Sequence, residues 1–160
     1  MSLSGSINVI NRKGEIMPLH LETISKRLNE LAQMPPKLNI STDIIAIKTA
    51  SSLIDGIKTS EIDNISAGIC ASLIVDDYEY DTLAARIIIS SLHKVTYNDL
   101  RMYAKSLRSY DYRDTEIKIL HPKTIAFILE NSKDLHDLID YQKDYSYNYF
   151  GAITLINSYL

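Results

Sequence analysis

The side chains to weigh first for chemistry are four histidines, His20, His93, His121 and His136. Their spacing holds no metal-ligand pattern, and no cysteine or carboxylate cluster accompanies them, so neither a metal site nor a catalytic residue is expected. The sequence has no GxSxG, no P-loop and no GxGxxG. Cys70, the sole thiol, lies between Ile69 and Ala71 and reads as a packing residue, because free cysteine behaves as a small hydrophobe. The aromatic cluster Tyr141, Tyr145, Tyr147, Tyr149 and Phe150 reads as a packed, hydrogen-bonded corner rather than a base-stacking platform. Thr59 and Asp63 are different. Spaced i, i+4, they share a face at the start of a helix, where free N–H groups and a partial positive charge gather. Asp63 and Glu61 also suit that helix dipole with no ligand at all, and Lys94 suits the negative end of another helix. A site exists only if Arg12 is brought beside these helix ends, which pattern alone leaves open.

The elements that must position these residues can be read along the chain. Ile7 and Val9, then Ile16 and Leu19, flank Arg12-Lys13-Gly14-Glu15, which predicts a β-hairpin with glycine at its turn. Ile24, Leu28 and Leu31 predict a first helix that ends before Pro35-Pro36. A second helix runs from the cap candidates Ser41-Thr42 toward Gly56, with Ile44, Ile47 and Ile54 along its inner side. A third starts near Thr59 with Ile62, Ile65, Ile69 and Leu73 as its stripe. A fourth covers about 80–94, with Ala84, Ile88 and Leu92 inward. Beyond it, the pattern predicts a helix over 99–107, a charged, tyrosine-bearing loop at 109–116, a helix with Pro122 in its first turn, a short helix over 132–141 and a last one over 150–159. The fold class is mainly α (α+β): a hairpin and four helices in 7–96, then a helical segment in 97–160, with no parallel sheet. Residues 1–6 read as a disordered leader.

The chain has 160 residues, a hydrophobic fraction of 46% and a net charge of -3. That composition suits a folded globular protein and argues against duplex nucleic acid as a partner, which needs a basic surface. A small nucleotide needs only two or three well-placed cations. No apolar run reaches the roughly 18–20 residues that span a bilayer, and a single cysteine without an export signal points to a reducing, cytoplasmic home. The last residues carry no polar tail, which suggests truncation.

Leu83-Ala84-Ala85-Arg86-Ile87, continuing to Ser91-Leu92-His93-Lys94, resembles the "LAARI…SNLHK" signature of class I ribonucleoside-diphosphate reductase large subunits. Asp144–Gly151, with Thr154-Leu155 and Ser158-Tyr159-Leu160, is similar to that family's "DFSYNYFG…TLERSYL" segment. Val9–Gly14 resembles the "VIKRDG" opening of its ATP-cone, and Gly56–Asp63 resembles "GVTTVELD". The resemblance implies that 7–96 is an ATP-cone sensing ATP as activator and dATP as inhibitor, and that 97–160 leads toward a catalytic barrel absent from this chain. It assigns effector contacts to Arg12, Thr59, Asp63 and Lys94, with Ile24 beside the base. Asn11, Met17 and Thr23 stand where the family carries a basic residue, an acidic residue and a lysine, and are weaker members of the site. Losing a cation that faces phosphate costs on the order of 1–3 kcal/mol, with Lys13 and Lys26 as candidate substitutes.

In that reading Arg12 and Lys94 meet phosphate, while Asp63 accepts from ribose or adenine. The implied partners are ATP or dATP, the rest of the large subunit, other large subunits and the small radical-generating subunit, with no nucleic acid and no membrane. The chain alone is expected to be inactive, since radical reduction needs a thiyl cysteine plus a redox pair. A cone-containing repressor would carry a four-cysteine zinc ribbon. A degenerate cone, kept only as an interaction surface, is the alternative.

Overall fold

The computed structural model describes residues 7–107, 110–112, 115–117 and 119–160, so the expected leader lies outside the described residues. Contacts divide the chain into two compact units. One takes the residues up to Ser91 together with Tyr145–Leu160, and the other is Leu92–Asp144.

In the first unit, β1 (Asn8–Ile10) and β2 (Ile16–Pro18) form the expected antiparallel hairpin, pairing Val9 with Met17. Gly14 takes the turn with φ 83°, a left-handed conformation that side-chain-bearing residues rarely adopt. Pro18 is tolerated because β2 is an edge strand. The sheet then departs from the expectation of no parallel pairing. A two-residue strand, β3 (Ile57–Lys58), runs parallel to β1, with Val9 opposite Ile57. Two further bonds fasten it: Gly56 N–H donates to the Asn8 carbonyl at 2.8 Å, and Asn8 N–H donates to Asp55 Oδ1 at 2.8 Å.

Four helices follow the strands much as their periodicity predicts: α1 (Leu21–Ala32), α2 (Thr42–Ser51), α3 (Thr59–Ser72) and α4 (Glu79–His93). The inner side assigned to α2 is wrong. Ile44, Ile47 and Ile54 are exposed, and the buried residues are Thr42, Ile45, Ala46 and Thr49. Four consecutive apolar residues, Ile44 to Ile47, carry no helical phase, and what sets the inner face is close approach. Thr49 and Ser66 of α3 meet hydroxyl to hydroxyl at 3.2 Å. Helix α3 likewise turns Ile62, Asp63, Ser66, Ala67 and Cys70 inward, leaving Ile65, Ile69 and Leu73 half-buried. Helix α4 buries every residue from Leu83 to Ile89.

The signature arginine of α4, Arg86, is a structural residue. Its side chain is 2% exposed, and its guanidinium donates to the carbonyls of Leu31, Met34 and Pro36 at 2.8–3.1 Å. It thereby closes the end of α1, where helix carbonyls lack partners. Tyr149, Ile153 and Ile156 of the last helix of the chain also pack on this unit's core. The Asp81 carboxylate accepts from Tyr149 N–H at 3.3 Å.

The second unit holds α5 (Leu100–Ser106), β4 (Tyr110–Tyr112), β5 (Thr115–Ile117), α6 (Pro122–Glu130) and α7 (Ser132–Asp137). The segment expected as a loop at 109–116 thus contains an antiparallel pair, Tyr110 opposite Ile117. A 3-10 segment, Tyr141–Ser146, crosses the division between the units, and α8 (Tyr149–Tyr159) belongs to the first. The aromatic corner is only partly packed. Tyr145 and Tyr149 lie against buried Ala85, Ile89 and Ala152, whereas Tyr147 and Phe150 are exposed.

Candidate functional site: an arginine–carboxylate cluster

Asp63 sits one turn into α3 and is 6% exposed. An unpartnered carboxylate at that depth would be costly, and here two guanidinium groups meet it. Arg12, from the β1–β2 turn, reaches Asp63 Oδ2 at 3.2 Å, and Arg27, from α1, reaches Oδ1 at 2.9 Å. Arg12 also donates to Ser91 Oγ of α4 at 2.8 Å. Turn, first helix, third helix and fourth helix therefore converge on one polar cluster of this unit.

The local chemistry explains why each side chain is there. Asn11 shapes the turn that presents Arg12. Its Oδ1 accepts from the N–H groups of Lys13 and Glu15 at 2.8 and 3.0 Å, and its Nδ2 donates to Glu15 Oε2 at 2.6 Å. The residue standing where a cation was expected is thus engaged in turn geometry. Thr59 is the first residue of α3, directly after β3, so the parallel strand places the helix N-terminus next to the strand that carries the turn. Glu61 helps to close that terminus, accepting from Lys58 N–H at 3.4 Å.

The remaining sequence candidates fall as follows. Ile24 is 6% exposed within the core. Thr23 is exposed in the first turn of α1 and Met17 is exposed on the edge strand. Lys13 and Lys26, the suggested substitutes, are exposed, and the additional cation on Asp63 is Arg27. Lys94 follows α4 directly but falls in the second unit, so its membership of this site rests on the sequence resemblance. Arg27 was missed although a signal existed. It stands i, i+3 from Ile24 at the border of the stripe Ile24, Leu28 and Leu31, a place where long basic side chains lay an apolar stem on the core.

The second unit has its own polar feature. A cavity of about 590 Å³ is lined by Tyr97, Tyr103, His136 and Ile139 among others, with His93 and Asp144 on its wall. His93 Nε2 and Asp144 Oδ2 are 2.7 Å apart. Among the described residues no group of three or more His, Cys, Asp or Glu is arranged to hold a metal, and no helix is long and apolar enough to cross a membrane.

The fold and the cluster define a small, mainly helical module built on a short mixed sheet, with a buried acid held between two arginines. Residues 7–95 match the ATP cone domain, and the chain belongs to that family. Over its length it is similar to the N-terminal region of ribonucleoside-diphosphate reductase large subunits. The large subunit of Caenorhabditis elegans is 35% identical over 162 residues, covering 100% of this chain and 21% of that protein. The large chain of Cryptosporidium parvum is 34% identical over 156 residues, covering 95% and 19%. Large chain 2 of Saccharomyces cerevisiae is 31% identical over 154 residues, covering 95% and 18%. The chain spans about a fifth of the length of these curated relatives.

Proposed function

We propose that this chain is the allosteric nucleotide sensor of a ribonucleoside-diphosphate reductase large subunit, responding to ATP as activator and dATP as inhibitor. The observation that carries the reading is the convergence of Arg12 and Asp63, 51 residues apart in sequence, at 3.2 Å within an ATP cone. Arg12 supplies a fork of donors suited to phosphate oxygens, and the family resemblance adds Lys94 as a second cation. Thr59 and the N-terminus of α3 offer further donors. Asp63 is the hydroxyl sensor. A carboxylate is acceptor-only with about four lone-pair sites, so it can hold arginine and a sugar hydroxyl together. The 2′-hydroxyl it would sense is what distinguishes ATP from dATP.

The chain acts with the remainder of the large subunit, with other large subunits and with the small radical-generating subunit, in the reducing cytoplasm. It performs no reduction by itself. The competing reading is a cone that no longer binds nucleotide and serves only as a contact surface. The engagement of Asn11 in the turn favours it, because no cation stands at that position. A thermal-shift titration with ATP and dATP separates the two. Binding to the native state raises stability by RT ln(1 + [L]/Kd), about 2.7 kcal/mol at a hundredfold excess over Kd. No shift with either nucleotide at millimolar concentration would establish the contact-surface reading.

A further inference from the structure

We propose that Arg27 is a further phosphate-directed cation of the nucleotide site, and that its ion pair with Asp63 must part for a phosphate to reach it. The inference rests on the nucleotide-binding reading above and adds to it a residue and a mode of opening. Arg27 uses Nε to bind Asp63 at 2.9 Å, while its Nη2 is buried without a hydrogen-bond partner among the described residues. A buried guanidinium donor left unmet is unfavourable, so the Arg27 fork is satisfied at Nε and wanting at Nη2. The group that answers a two-pronged cation is an anion with several oxygens.

Location and charge agree. Arg27 and Ile24 lie one turn apart on α1, and Arg12 binds the other oxygen of the same carboxylate. Two guanidinium groups and one carboxylate leave the cluster with an excess positive charge, which suits a polyphosphate. Asn11 and Thr23 cannot supply that charge. Because Nη2 has no solvent exposure, an incoming phosphate reaches it only as the clamp opens. Asp63 is the internal anion that holds both arginines in place.

The test uses the whole chain, with ATP, adenosine and inorganic tripolyphosphate as probes, followed by calorimetry and by competition against ATP. Arg27→Gln should weaken ATP and tripolyphosphate by roughly 10- to 100-fold, as expected for a lost charge-assisted hydrogen bond, and leave adenosine unchanged. Arg27→Lys keeps the charge but loses the fork, so it should fall between Gln and wild type, and it serves as the readout if the Gln variant fails to fold. If a folded variant binds tripolyphosphate as well as wild type does, or if tripolyphosphate does not compete with ATP for the wild-type chain, Arg27 does not meet phosphate and the proposal is overturned. If wild type binds no ATP at all, it is the nucleotide reading itself that fails.

Discussion

Cys70 has no solvent exposure, and burial pushes its thiol up to about 12 from an ordinary value of 9.0. The folded chain should therefore resist alkylation by iodoacetamide at pH 8 and react at once in denaturant, as thiolate is the reactive form. A raised pKa also fixes the sign of the pH dependence. The unfolded thiol ionises first, so the stability this group contributes is complete below about pH 9 and is lost as pH rises toward 12. Urea melts from pH 8 to 10.5 would show the decline, and Cys70→Ala should flatten that part of the profile. At the same scale, Asp63 and Lys94 can be separated by substitution. Asp63→Asn keeps the shape but replaces half of an acceptor with a donor, and should compress the difference between ATP and dATP affinity. Lys94→Ala should weaken both nucleotides about equally, because both carry the same triphosphate. An unchanged ratio in Asp63→Asn would remove the sensing role from that carboxylate.

At the scale of elements, Arg86 links α4 to the end of α1. Arg86→Met removes the donor from three carbonyls around the end of α1. Leaving such acceptors unmet should cost about 3 kcal/mol or more, read as a lower urea midpoint with a similar m-value; a loss under 1 kcal/mol would show that these carbonyls find other donors. The sequence made this residue conspicuous through its motif without saying that its task is structural. What was legible in sequence were the features set by local rules: the glycine-turned hairpin, helices bounded by prolines and caps, and Pro122 at a helix start. Elements fixed by distant partners were not legible. Ile57-Lys58 is too short to alternate, and it is a strand only because β1 lies beside it. The buried face of α2 was misread because its apolar run has no phase. Arg12 and Asp63 could be singled out in sequence, but their meeting across 51 residues, and the second arginine on the same carboxylate, needed the fold.

At the scale of the whole molecule, the sequence leads one to expect uncovered apolar side chains from Tyr97 on, some of Ile125, Leu129, Leu155 and Ile156 among them. Ile125 is buried instead, and the other three are half-buried. In the second unit the exposed apolar side chains are Phe127, Leu138 and Ile139 among others; in the first, α8 exposes Phe150 and Tyr159. Amphipathic helices turned their best-spaced aliphatics toward their own unit, and the residues left outside are those off the stripe. The chain spans only about a fifth of its reductase relatives and has one cysteine. Incubated with substrate nucleotide, reductant and a small subunit, it should yield no deoxynucleotide; any measurable product would show that a thiol chemistry has been overlooked.

The short parallel strand also has a kinetic meaning. The bond from Asn8 to Asp55 closes 47 residues of chain, and α1 and α2 lie inside that loop. Closing so long a loop is entropically unfavourable until the helices within it have shortened the path, so this ladder should join after they form. Arg12 and Asp63 stand on either side of the same seam. Contacts made only after the folding barrier is crossed slow unfolding without hastening folding. Saturating ATP should accordingly lower the unfolding arm of a denaturant chevron and leave the folding arm where it is. A nucleotide that instead sped refolding would mean that the two edges of the site meet early, before the helices between them are in place.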